Sequence, residues 1–291
     1  MHLKKTCWVS VLLLSGVAMS ACQKEQDDAT QHDASQPEPA ASVLAPTPVT
    51  PPVEPAGTST ASLQALTASI KPAHYKLPAC KGDACPDIDI KRIDSNNLWV
   101  DQFLDQQILQ FSSGLGEPAP ADSSLQAMVN DFIQMSNEDA KLRGGAIPYV
   151  MHVTPKFLGQ HGALAQFQVN GEYFTGGAHG SALSSYYVLD VAQKKQLKLD
   201  DVVVKGRKQA LYDLLYPEFV AWVKSSNPEA DVAEYEKVWK FGLTDNFAFA
   251  RDGLNFQYGQ YEIGPYVVGM PDFTVPYARL KGIIKPEYLA V

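Results

Sequence analysis

Between Gln23 and Thr60 the chain contains no Phe, Trp or Tyr, while seven prolines fall between Pro37 and Pro55. Such a stretch has too little apolar surface to offset the entropy lost on ordering it, so it reads as a disordered, partly extended linker. The folded part therefore begins near residue 60. A linker of about forty residues has a root-mean-square reach on the order of 35 to 40 Å, enough to hold a domain clear of a surface. The Thr47-Pro48 and Pro51-Pro52 pieces would also suit a proline-reading domain; the spacer is preferred because of what precedes it.

Lys4 and Lys5 stand before an apolar stretch, Trp8 to Ala21, that Ser15-Gly16 interrupts. About fourteen residues at the helical rise cover about 21 Å, short of the roughly 30 Å hydrocarbon core of a bilayer, so residues 1–21 read as a signal peptide. The stretch ends Met19-Ser20-Ala21-Cys22, which resembles a bacterial lipoprotein box, with Met19 where leucine is usual. The resemblance implies that Cys22 is acylated and anchors the chain to the lipid bilayer. Gln23 in the next position is similar to lipoproteins sent to the outer membrane, with the domain in the periplasm or at the cell surface. An ordinary cleaved signal with an incidental cysteine is the alternative.

With Cys7 in the signal and Cys22 acylated, Cys80 and Cys85 remain. In an exported chain two cysteines this close read as a small-loop disulfide, which gains about 2 to 3 kcal/mol at best and pins a turn. A zinc site would need two further ligands at a spacing no nearby His or Cys offers.

Beyond the cysteines the hydrophobic period changes repeatedly. Asp94 or Ser95 would cap a helix with Val100, Leu104, Ile108 and Phe111 on one stripe. Asp122 would open a second, carrying Leu125, Met128, Val129, Phe132 and Ile133. Strands follow: Tyr149 to Thr154 and Ala163 to Val169 alternate about a turn at 159–162, as in an antiparallel sheet wet on one face. Ser184 to Val191 turns at 193–195 into Leu197 to Leu199. Leu211, Leu214, Leu215, Phe219, Trp222 and Val223 form another helical stripe, which Pro217 should kink or split. Phe247 and Phe249 face Phe256 and Tyr258 across a hairpin turn at Asp252-Gly253. The fold class is α+β, antiparallel sheets packed against helices in two subdomains. The expected division is a signal at 1–21, a tether at 22–62, a subdomain with the disulfide loop at 63–145 and a C-terminal domain at 146–291.

The formal charge of the chain is -8, but residues 63–291 hold 21 basic and 26 acidic side chains, a mild excess. With no basic run longer than a pair, the chain lacks the electrostatic footprint of a nucleic-acid binder.

Tyr173-Phe174-Thr175-Gly176-Gly177-Ala178-His179-Gly180, and a tail running from Tyr261-Glu262-Ile263-Gly264-Pro265-Tyr266 to Pro276-Tyr277, resemble the RsiV-like family. This is a domain of unknown function, found in the extracellular part of a lysozyme-binding anti-sigma factor and in the non-catalytic part of a peptidoglycan deacetylase. The resemblance runs from about Tyr149 to Leu289, and residues 61–140 are similar to the companion domain that precedes it. It implies an ectodomain fold that binds a wall-active enzyme or the wall itself. Neither a sigma-binding segment with a membrane span nor a catalytic deacetylase domain is expected in this chain.

Gly176, Gly177 and Gly180 surround His179 with backbone free to take positive φ, presenting the imidazole or the loop's N–H groups to a ligand; the competing reading is that His179 merely fixes the loop. Tyr261 and Tyr266 belong to an aromatic-rich C-terminal third that suits a protein hot spot or a sugar ring, although Phe247, Phe249 and Phe256 are expected in the core. No catalytic triad can be assembled around His179, since Ser181, Ser184 and Ser185 lie in no nucleophile elbow. Convergence of His152, His161 and His179 on a metal is geometrically awkward, and neither metal nor cofactor is expected. The leading expectation is a lipid-anchored envelope binding module for a lysozyme-type muramidase or peptidoglycan; the alternative is an envelope hydrolase or esterase using His179.

Overall fold

The computed structural model describes residues 64–80, 85–113, 122–145 and 147–289. The signal at 1–21, the acylated Cys22 and the tether at 22–62 lie outside the described residues. No helix among the described residues is long and apolar enough to cross a membrane.

Two sheets organise the α+β fold. The larger has six strands in the order of the chain: β1 (Ala68–Pro72), β2 (Asp87–Ser95), β3 (Val150–His161), β4 (Leu164–Phe174), β5 (Ser181–Asp190) and β6 (Lys195–Gln196). Its neighbours are antiparallel except β2 and β3, which run parallel. A parallel pair needs a crossover, and α1 (Leu98–Ser112) and α2 (Leu125–Arg143) supply it. The sheet crosses residue 146, with β1 and β2 before it and the other strands after.

The expected stripe Val100, Leu104, Ile108 and Phe111 is buried, against Ile90 and Ile93 of β2, Met151 and Val153 of β3 and Phe167 and Val169 of β4. Each such side chain contributes about 1.5 to 3 kcal/mol by leaving water. The caps differ from expectation. Asp94 and Ser95 are spent as the last residues of β2, and Asn97 caps α1 by accepting from the N–H groups of Trp99 and Val100. Ser124, not Asp122, caps α2, its hydroxyl accepting from the Ala127 N–H.

The β3–β4 hairpin is longer than its hydrophobic alternation suggested. Residues 159–161 remain in β3, where the register shifts between Phe157 and Gly159, and the chain reverses at Gly162-Ala163. The sheet face expected to be wet is covered at one end. Leu164 and Val188 join a second core, and Gln166 is buried because its amide meets the Phe249 backbone twice, accepting from the N–H at 2.7 Å and donating to the carbonyl at 3.0 Å.

That second core belongs to α4 (Lys208–Ser226), the short helices α3 (Leu199–Val202) and α5 (Val232–Glu236), and an antiparallel sheet of β7 (Phe247–Phe249), β8 (Gly253–Gln257) and β9 (Asp272–Pro276). Leu199 starts a helix instead of ending a strand. α4 runs through Pro217 without splitting; the ring removes one donor from the helix but not its continuity. The hairpin forms, but the reversal is at Arg251-Asp252, so Phe247 pairs with Phe256 and Phe249 with Leu254, Tyr258 lies beyond the strand, and Gly253 opens β8. A Cβ on Gly253 would lie 2.2 Å from the Val275 carbonyl oxygen, so the third strand demands glycine there.

The edge of β5 is closed by side chains. Asn246 accepts from the Tyr186 N–H at 2.7 Å and donates to the Ser184 carbonyl at 3.1 Å, and Gln260 accepts from the Ala182 N–H at 2.9 Å. Between β1 and β2, Cys80 and Cys85 form the expected disulfide, with their Cα atoms 5.9 Å apart.

Candidate functional site

The glycine-rich connection between β4 and β5 is built as its residue types require. Gly176 and Gly177 have φ of 86° and 98°, values that side-chain-bearing residues rarely take. Gly180 is needed for a different reason: a Cβ there would lie 2.7 Å from the Tyr173 carbonyl oxygen. A Cβ on Gly176 would lie 2.9 Å from the Arg143 guanidinium, so the end of α2 supports the loop. Arg143 is held by Asp139 at 2.7 Å, and Asp139 also accepts from the Tyr149 hydroxyl. The Tyr149 hydrogen bond, helped by the Arg143 charge, holds the Asp139 carboxyl below its ordinary range.

His179 is exposed, with Nδ1 2.9 Å from the Gly180 carbonyl oxygen. Its ring lies face to face on Tyr266, centroids 3.7 Å apart and planes 18° apart. Tyr266 adjoins Tyr261 at 6.0 Å, and Tyr261 adjoins Trp239 at 6.4 Å with planes 28° apart. Four rings thus form one row from Trp239 to His179, and His179 meets there the candidates Tyr261 and Tyr266, more than eighty residues away in sequence.

The support beneath the row is main chain and the Glu262 carboxylate. Glu262 accepts from the Gly259 N–H at 2.7 Å, the Val268 N–H donates to the Pro265 carbonyl, and the Gly269 N–H to that of Tyr266. Tyr261 is held at φ 65°, a left-handed conformation that costs a non-glycine residue on the order of 1 kcal/mol or more. Gly264 lets the segment lie against the helices, since a Cβ there would come 2.7 Å from the Tyr235 hydroxyl.

Two cavities flank the loop. One, of about 220 Å³, has His179 in its wall with Met135, Met151, Phe132, Tyr173, Thr175 and Ser181. The other, of about 310 Å³, has Tyr266 in its wall with Glu172, Phe174 and Ala182. They share Tyr173 and Ser181. Tyr173 is buried, its hydroxyl donates to the Phe111 carbonyl, and burial raises its pKa well above the ordinary value.

Other candidates are placed elsewhere. Tyr258 and Phe273 are core residues, together with Phe247, Phe249 and Phe256. His152 pairs with Asp87 at 3.0 Å, and His161 is exposed at the end of β3. Among the described residues no group of three His, Cys, Asp or Glu could hold a metal. Ser184 is buried, its hydroxyl accepting from Gln168 at 3.0 Å, which leaves it unsuited as a nucleophile for His179. Trp239 was not foreseen; its signal was an aromatic residue between Lys237-Val238 and Lys240, on no apolar stripe.

Residues 200–278 match DUF3298, a protein family of unknown function. This span includes Trp239, Tyr261 and Tyr266 and excludes Gly176, Gly177 and His179. A DUF3298 family protein from Pseudomonas aeruginosa PAO1 superposes with a TM-score of 0.58 and 26% identity, over 77% of this chain and 94% of that one. A DUF3298 family member from Bacteroides fragilis superposes with a TM-score of 0.51 and 21% identity, over 76% and 93%, and shows likeness of fold. No curated protein matches the sequence. The chain is therefore similar to DUF3298 over residues 200–278, within a fold like that of two structures from the same family.

Proposed function

We propose that this chain is a lipid-anchored binding module of the bacterial envelope, tethered to the outer membrane through acylated Cys22, and that it binds the glycan of the cell wall along the row from Trp239 to His179. The observation that carries this reading is the order of the row. Its rings lie against one another on a hydrogen-bonded segment, so a ligand stacking on them bears a reduced cost of fixing side chains. Tyr and Trp present an apolar face and a polar tip, which complement a sugar's apolar face and hydroxyl rim. In a sedimentation assay the full chain in detergent micelles should follow insoluble peptidoglycan. Trp239→Ala and Tyr261→Ala should each weaken it about tenfold, which is about 1.4 kcal/mol. Equal sedimentation of all three proteins sinks the proposal.

A lysozyme-type muramidase is the second reading. Val238 and Val267, next in sequence to Trp239 and Tyr266, are 72% and 86% exposed, and aliphatic surface beside aromatic anchors suits a protein partner. Failure of immobilised lysozyme to retain the chain even at low salt rejects it.

A further inference from the structure

The cavity behind His179 is chemically unlike the row it adjoins. Its floor is apolar: Met151 is 1% exposed, Phe132 6% and Tyr173 7%, with Met135 at the opening. Its rim carries hydroxyls, from Thr175 and Ser181, while the buried Ser112 hydroxyl is spent on the Ile108 carbonyl. Among the described residues no Asp, Glu, Lys or Arg lines it, whereas the cavity on the Tyr266 side has Glu172 in its wall. His179 belongs both to this cavity and to the stack on Tyr266, so the end of the row and the mouth of the cavity are the same residue.

We propose that this cavity receives the acetamido group of an N-acetylated sugar lying along the aromatic row. The inference rests on the glycan reading above and goes further by naming the group that is recognised. An acetamido group is a methyl with one hydrogen-bond donor and one acceptor, and it is neutral. The methyl meets Met135, Met151 and Phe132, while hydroxyls, which both donate and accept, meet the amide. An ammonium or carboxylate in the same place would lose its hydration with no opposite charge to meet it. The volume agrees: about 220 Å³ is below the roughly 300 to 1,000 Å³ of pockets that enclose a whole small ligand, and it suits a substituent whose ring stays outside.

The test is titration of the full chain in detergent micelles, read by tryptophan fluorescence, with three tetrasaccharides: chito-oligosaccharide, its de-N-acetylated form, and cello-oligosaccharide. The acetylated sugar should bind at least tenfold more tightly than the other two. Met135→Trp, which fills the opening from a position 44% exposed, should remove that preference. Thr175→Val, which deletes a rim hydroxyl at nearly constant shape, should reduce the preference severalfold, and it serves as the control should Met135→Trp fold poorly. Equal binding of acetylated and cello-oligosaccharide overturns the acetamido assignment and leaves the glycan reading standing. Tighter binding of the de-N-acetylated form, or an unchanged preference in both variants, also overturns it. Binding of none of the three overturns the glycan reading and this inference with it.

Discussion

Gly180 shows how much of the site depends on single atoms. Adding a methyl group there, as Gly180→Ala, drives Cβ into the Tyr173 carbonyl and forces the backbone to shift. Overpacking of this kind costs about 1 to 3 kcal/mol, and here the displaced residue is the neighbour of His179. A lower thermal midpoint and loss of the His179–Tyr266 stack, read from their aromatic proton shifts, are the expected outcomes; an unchanged midpoint refutes the account. Glycine at 180 was legible as a loop residue, but its reason was not, because the atom that excludes a side chain belongs to the preceding strand. The same holds for Trp239: its misfit with any apolar stripe was visible, its partner Tyr261 was not. His179 and Tyr266 were separately legible as candidates, yet only tertiary folding puts one ring on the other.

At the level of elements, apolar periodicity was a reliable guide wherever one face meets one core. The stripes of α1 and α4 fall where their spacing requires, since a helix with a single apolar face has one way to bury it. Boundaries were less legible. Asp94, Ser95 and Asn97 are all competent caps, and the choice among them was made by where pairing with β1 ends, at Ser95. The wet face assigned to the large sheet is covered at the Leu164–Gln166 end, where a buried glutamine reads as polar in sequence but is satisfied by the Phe249 backbone. Asn246 does similar work on the β5 edge. Asn246→Ala removes one donor and one acceptor from the strand backbone, which should cost about 1 to 3 kcal/mol and speed amide exchange at Tyr186 selectively. Uniform exchange across β5 in the variant would show that the asparagine does not close that edge.

At the scale of the whole molecule, the described residues build two cores that meet across the large sheet, one with α1 and α2, the other with α4 and the three-stranded sheet. With this much apolar burial, the Cys80–Cys85 disulfide is a local staple. Its short loop predicts a loss of about 2 kcal/mol when both cysteines become serine, so the variant should melt cooperatively a few degrees lower and sediment with peptidoglycan as before. A variant that fails to fold would mean the β1–β2 connection matters far more than its loop length implies.

The Gln260 amide spans two separate stretches of chain. It joins the loop that carries Tyr261 and Tyr266 to Ala182, three residues past His179, by a single bond of 2.9 Å. The stretches that carry His179 and Tyr266 are nearly eighty residues apart in sequence, and this side chain bridges them. Its length therefore acts as a gauge: asparagine at position 260, one methylene shorter, would draw the two stretches together or lose the bond, while keeping all four rings.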